Sequence, residues 1–172
     1  MYHMLRGFYI ILFFVLIAGN ISVYRTIFAP HVLTLTVLEV GPAGKESLAT
    51  LVRNPRGEML LIDIGPDASI LRALGEVLPM WQRKIDAVIL TSSAARSAGG
   101  LPAVQSSYHV SKIIRIGNTA TPYGTSFIFD SSHIEILAPA TINVSFGSSV
   151  FKISSSTPAG IYISNGTSVI QH

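Results

Sequence analysis

Hydrophobic and polar positions divide the chain into stretches with different periods. From Gly7 to Val23 the sequence GFYIILFFVLIAGNISV has no period: only Asn20 and Ser22 are clearly polar, and Arg6 and Arg25 bound the run. An uncharged segment of that length is long enough to span a bilayer core. At Leu33 alternation begins, with Leu33, Leu35 and Val37 set against Thr34 and Thr36, which predicts a half-buried strand. Glycines 41 and 44 end it. Leu48 to Arg53 and Glu58 to Ile62 predict two more strands, joined by Asn54-Pro55-Arg56-Gly57, a turn whose Pro and Gly suit a hairpin.

The period then lengthens. Ile70, Leu71, Leu74, Val77 and Leu78 share a helical face, with Ser69 or Asp67 placed to cap it and Pro79 to end it. Ile85 to Leu90 predicts a continuous buried strand, Leu101 to Tyr108 a short helix with Pro102 in its first turn, and Ile113 to Ile116 another strand. The order to this point is β-β-β-α-β-α-β. From Asn118 onward Ser, Thr, Gly and β-branched residues dominate. Four short strands are predicted there, around Ser126 to Phe129, Ile134 to Leu137, Val150 to Ser154 and Gly160 to Ile163, and no helix.

Composition refines this division. The 172 residues are 49% hydrophobic and 12% charged, more apolar than an ordinary soluble domain, and the N-terminal run supplies much of the excess. A cleaved signal peptide is the competing reading of that run, but no small-x-small cleavage site follows it. The expected organisation is a tail over residues 1–6, a transmembrane anchor over 7–25, a linker over 26–31 and one domain over 32–172. Arg6 with the amino terminus barely outweighs Arg25 for orientation. Beyond the leader, ten basic residues face nine acidic ones, a net charge of +1, so the calculated pI does not describe a clustered nucleic-acid-binding face. Cysteine is absent, which excludes disulfides, thiol nucleophiles and Cys-ligated metals.

The segments LTVLEVGPAG, LVRNPRGEMLLIDIGPDASILRALGEVLP, IDAVILT and AGGLPAV, in that order and spacing, resemble the extracytoplasmic metallo-β-lactamase-like domain of ComEC-type competence proteins. The likeness covers Leu33 to Ile116; HIEILAPA and AGIYISNG are similar to later strands of that family with less specificity. It implies an α/β (α+β) fold, a partial αββα sandwich preceded by one transmembrane helix. It also implies further strands, a closing helix and a last His, so the domain is expected to be incomplete in its C-terminal half.

In that family a His-x-His-x-Asp-His cluster follows the strand corresponding to Ile85–Leu90. Neutral imidazoles and a carboxylate on one tight loop converge there on zinc or manganese and lower the pKa of bound water. Here the four ligand positions are Ser92, Ala94, Arg96 and Ser97, so no metal and no catalytic residue is expected. The frame of the site is retained as Asp63, Thr91, Gly99 and Gly100, and Arg96 becomes a candidate anion contact. The resemblance makes Asp63 a support beneath the site; from the residues alone, it caps the strand-to-helix turn by accepting backbone N–H groups. Two other family segments are altered: a Val-Gly-Gln-Gly-Asp turn reads Val40-Gly41-Pro42-Ala43-Gly44, and a Thr-Gly-Asp-like segment reads Ser164-Asn165-Gly166.

Other candidates have plain readings. His3, His31, His109, His133 and His172 show no metal-binding spacing, although His109 and His133 could meet in three dimensions. Ser92, Ser93 and Ser97 have no base near them in sequence. GPAGKES lacks phosphate-loop spacing, because Glu39 stands where the first Gly belongs and Glu46 follows Lys45. Arg53, Arg56, Arg83 and Lys84 read as solvated surface. The expectation is therefore a single-pass protein of the cell membrane whose domain is extracytoplasmic and catalytically inactive. It would act as a binding or scaffolding module toward membrane or competence proteins, with nucleic acid as a weaker partner. The alternatives are a metal-dependent nuclease or phosphodiesterase with non-standard ligands, and a remnant without activity.

Overall fold

A computed structural model describes residues 10–19, 32–44, 46–154 and 156–171. The chain separates into two compact units, Met1–His31 and Val32–His172. In the first, residues 10–19 form a helix, α1. No helix among the described residues is long and apolar enough to cross a membrane. The remainder of the expected anchor, 7–9 and 20–25, lies outside the described residues, as does the 26–31 linker.

The second unit is built from three layers. Its central layer is a seven-stranded sheet containing β1 (Leu33–Val40), β2 (Ser47–Arg53), β3 (Met59–Ile62), β5 (Ala87–Leu90), β7 (Ile113–Arg115), β12 (Gly160–Ser164) and β13 (Val169–Gln171), in the order β13-β12-β1-β2-β3-β5-β7. β1, β2 and β3 meander antiparallel, whereas β3, β5 and β7 run parallel. Parallel neighbours need crossovers, and these contain α2 (Ser69–Val77) and then α3 (Ala95–Ala98) with α4 (Leu101–Ser107). The second sheet, β11-β10-β9-β8, is wholly antiparallel: β8 (Ser126–Phe129), β9 (Ser132–Ala138), β10 (Thr141–Phe146) and β11 (Ser149–Ile153). A small sheet pairs β4 (Lys84–Ile85) with β6 (His109–Val110).

Strand alternation decides which core each side chain joins. Val40, Ala49, Leu51, Met59, Leu61, Val88 and Leu90 face the helices and pack on Ile70, Leu74, Leu101 and Val104. Their neighbours Leu33, Leu35, Val37, Val52, Leu60, Ile62 and Ile89 face the second sheet, meeting Ile134, Ile136, Ile142, Val144 and Phe151. Each fully buried Val, Leu, Ile or Met among them stabilises the fold by about 1.5–3 kcal/mol relative to exposure. The outer face of the second sheet bears exposed Ile128 and Val150 and no helix among the described residues, so the layers are helix, sheet and sheet.

Several expectations change. β1 is covered on both faces, and Thr36 is buried, because β1 lies inside the sheet between β12 and β2. The strand expected over Ile85–Leu90 is broken at Asp86. Its carboxylate accepts the Met59 N–H at 2.9 Å and pairs with Lys84, and its own N–H donates to the Met59 carbonyl. Residues 84–85 therefore turn aside to pair with β6. Neither Ser69 nor Asp67 is the N-cap of α2, which is Ala68; the Asp67 carboxylate accepts the Ser69 N–H at 2.9 Å, and the Ser69 hydroxyl accepts the Gly41 N–H at 2.7 Å. β6, β10, β13 and α3 were not expected. Ile142, Val144 and Phe146 alternate in β10 and would have marked it.

Candidate functional site

The site lies where β3 and β5 end side by side. Ile62 pairs with Ile89, so Asp63 and Thr91 leave neighbouring parallel strands at the same edge. Asp63 adopts φ 54°, a left-handed conformation that Asp tolerates better than most residues, and its N–H donates to the Ile89 carbonyl at 2.8 Å. That twist turns its carboxylate sideways. One oxygen accepts the Thr91 N–H at 2.9 Å and the other accepts the Thr91 hydroxyl at 2.6 Å. The Thr91 hydroxyl in turn accepts the Ala140 N–H at 2.9 Å, and the Tyr123 hydroxyl donates to the Thr91 carbonyl at 2.9 Å. This chain, buried at Asp63 and Thr91, ties β3, β5 and the β9–β10 turn together.

Asp63 does accept a backbone N–H, but from a residue 28 positions away rather than from the turn that follows it. Asp63 is 4% exposed. Burial pushes its carboxyl above the ordinary range, against the opposing effects of the Thr91 bonds, Ser97 and the nearby Arg96 charge.

The loop after Thr91 is held as firmly. Ala94 donates its N–H to the Ser92 hydroxyl at 3.1 Å and precedes α3. Ile64 N–H donates to the Ser97 carbonyl at 2.9 Å, and Gly100 N–H to the Gly65 carbonyl at 3.1 Å. The Ser47 hydroxyl donates to the Arg96 carbonyl at 3.1 Å. At Gly99 a Cβ would lie 2.0 Å from the Pro66 carbonyl oxygen, and at Gly100 2.5 Å from that of Asp67. Both glycines have ordinary negative φ, −62° and −76°. They are required by close approach to the 65–67 loop, and neither a positive φ nor contact with the sheet is involved.

A cleft of about 370 Å³ opens here, lined by Glu39, Glu46, Asp63, Arg96, Ser97 and Ala140 among others. Of the four substituted ligand positions, Arg96 and Ser97 line it; Ser92 and Ala94 do not. Ser97 is buried and Arg96 exposed. Glu39, Glu46 and Ala140 were not singled out as cleft residues. Glu39 was the detectable one, since it is the single charge in β1. Glu46 accepts the Gly44 N–H at 2.9 Å, which lowers its pKa, and lies in the turn between β1 and β2.

The donor set does not suit a catalytic zinc or manganese ion. No imidazole lines the cleft, and both Asp63 oxygens are engaged by Thr91. Among the described residues no group of three or more His, Asp or Glu side chains is arranged to hold a metal. His109 and His133 sit exposed on β6 and β9, in different sheets, and His3, His31 and His172 lie outside the described residues. Ser164-Asn165-Gly166 is also remote from the cleft. Leu33 pairs with Ser164 at the start of β1, the opposite end of the sheet, where Asn165 accepts the N–H groups of Thr167 and Ser168.

No family model matches the sequence, and no curated protein matches it. Among solved structures, the chain is similar to two HARLDQ-motif mutants of a metallo-β-lactamase from Cronobacter sakazakii. The identities are 17% and 16%, the TM-scores 0.46 and 0.43, and the coverage 64% and 58% of this chain. It is also similar to rubredoxin oxygen:oxidoreductase from Desulfovibrio gigas, at 15% identity and a TM-score of 0.46 over 67% of this chain. The chain spans 57%, 52% and 37% of those three chains, respectively.

Proposed function

We propose that this chain is a membrane-anchored relative of the metallo-β-lactamase-like domain of ComEC-type competence proteins that works by binding and not by hydrolysis. One observation carries the reading: the cleft keeps a braced frame while its chemistry is that of a guanidinium beside a fully engaged carboxylate. Asp63, Thr91, Gly99 and Gly100 hold the loop to the sheet. Arg96 and Ser97 stand where metal ligands belong in the resembled family; a protonated guanidinium has no lone pair to give a Lewis acid, and a neutral Ser hydroxyl is not among the usual zinc ligands.

Within this reading Arg96 is a positioned contact for one anionic group. Its backbone is fixed by the Ser47 bond, so the side chain projects from a rigid turn. Glu39 and Glu46 on the cleft wall oppose a long polyanion, so a single phosphate or carboxylate on a partner fits better than a strand of nucleic acid. The proposed partners are membrane or competence proteins, with the domain on the extracytoplasmic face and any link to DNA uptake indirect.

The test is metal content and turnover of the purified full-length chain. After dialysis, zinc and manganese are expected far below one per chain, with no hydrolysis of DNA, phosphodiester or lactam substrates. Near one metal per chain, together with activity abolished by a chelator, overturns the reading.

A further inference from the structure

The end of the domain opposite the cleft has a distinct surface. Because β3 and β5 are parallel, the chain after α2 returns to the end where β5 starts, and the chain after α4 returns to the start of β7. β1 also begins at this end, since Thr34 pairs with Arg53. Met80 and Trp81 project here on a turn closed by Gln82 N–H to the Pro79 carbonyl at 2.9 Å, and they are 85% and 83% exposed. Two consecutive large apolar side chains so fully in water have no role in either core.

Cations lie at the same end. Arg53, Arg56, Arg83, Lys84 and Lys112 share this end with the carboxylates Glu58, Asp86 and Asp130. Arg56 is paired with Asp130 and Lys84 with Asp86. Arg53, Arg83 and Lys112 are exposed and form no ion pair among the described residues. Arg83 lies 5.9 Å from the centre of the Tyr108 ring, at a hollow also lined by Ser107 and His109, whose side chains carry hydrogen-bond donors.

We propose that this end docks on an anionic bilayer surface, with Met80 and Trp81 entering the headgroup layer and Arg53, Arg83 and Lys112 contacting lipid phosphates. Trp is favoured at that depth because its ring is apolar and its N–H polar, and basic side chains are drawn to the negative surface potential. The proposal deepens the anchored reading and rests on it for the bilayer: the chain that follows the Gly7–Val23 run enters the domain at β1, at this same end. Docking would leave the cleft facing away from the membrane.

The chain contains one tryptophan, so its fluorescence reports this site alone. Full-length protein is reconstituted into phosphatidylcholine vesicles with and without phosphatidylglycerol, and Trp81 is probed by emission wavelength, acrylamide and brominated lipid. Expected are a blue shift, protection from acrylamide and quenching by brominated lipid in anionic vesicles, all weakened by high salt. Arg83→Glu and Lys112→Glu each lower the docked-to-free ratio about fivefold or more, whereas Lys152→Glu, on the second sheet, leaves it unchanged. Trp81 that stays acrylamide-accessible in carbonate-resistant proteoliposomes overturns docking and leaves the anchor standing. Shielding on anionic vesicles by protein that carbonate strips off supports docking and removes the anchor. Trp81 shielded equally in detergent assigns the patch to protein contact, and a response to duplex DNA but not to lipid charge assigns it to nucleic acid; either result overturns the proposal.

Discussion

Asp63 carries the largest burden of any single side chain in the site. It is buried, ionisable and in a left-handed conformation, and both its oxygens are committed to Thr91. Asp63→Ala leaves the buried Thr91 N–H without an acceptor and is expected to cost about 3 kcal/mol in chemical denaturation at neutral pH. Asp63→Asn tests the charge separately, since Asn also tolerates positive φ. Burial raises the Asp63 pKa in the folded state, so its contribution to stability is greatest below its unfolded value and declines as pH rises through the folded one. Asp67 and Asp86 act in the opposite sense, as both are lowered. Asp67 is lowered by its Ser69 bonds; at Asp86 burial raises the value, but the Lys84 and Met59 bonds outweigh it. Both remain in Asp63→Asn and cancel in the comparison. The stability of wild type minus that of Asp63→Asn should therefore fall from acid pH toward neutrality; a difference that grows with pH contradicts a raised Asp63.

The loop that joins β5 to α4 divides into tolerant and intolerant positions for reasons of space. Arg96 is exposed at the cleft and its Ser47 bond is made by its backbone carbonyl, which the substitution keeps, so Arg96→Ala should change stability by no more than about 0.5 kcal/mol. Gly99→Ala places a methyl 2.0 Å from a backbone oxygen that no rotamer can move away, and should cost about 3 kcal/mol or more. Thermal melts of the two variants side by side test this; a Gly99→Ala as stable as Arg96→Ala would mean that the 65–67 loop yields. Ser97 belongs with the intolerant group although it is a substituted ligand position, because its side chain is buried and its hydroxyl interacts with the Asp63 carboxylate. The loop is thus conditioned by packing on both sides, independently of any ligand.

Across the whole domain the two ends differ in chemistry. The cleft at the C-terminal ends of β3 and β5 gathers Glu39, Glu46 and Asp63 around Arg96, while the opposite end presents Met80, Trp81 and unpaired cations. The central sheet separates them, and no hydrogen-bonded chain crosses between them among the described residues. Arg96→Ala should therefore leave Trp81 shielding on anionic vesicles unchanged, and Arg83→Glu should leave partner binding in the cleft unchanged. An effect of either variant at the far end would require a coupling through the sheet that the fixed strand registers give no means to transmit.

What the sequence determined by itself is what depends on near neighbours. Alternation at Leu33, Leu35 and Val37, the Pro and Gly of the 54–57 turn and the apolar stripe from Ile70 to Leu78 each express their local geometry within a few residues. The main strands and helices through β7 were legible in their order for that reason, whereas α3, β6 and the close approach that requires Gly99 and Gly100 were not. Tertiary structure decided everything that depends on strand order. Asp63 meets Thr91 across 28 residues, and Thr91 meets Ala140 across 49, only because parallel strands end together and the second sheet turns over that edge. Asp86 breaks a continuous apolar run because Met59 of the neighbouring strand offers it a backbone N–H. Arg53 and Arg83 read as solvated surface charges, but the β1–β3 meander and the crossover through α2 bring them to one end, where the crossover through α4 also places Lys112. Local periods record which face of an element is buried; which elements become neighbours is settled by long-range burial and backbone pairing, for which no window of adjacent residues carries the information.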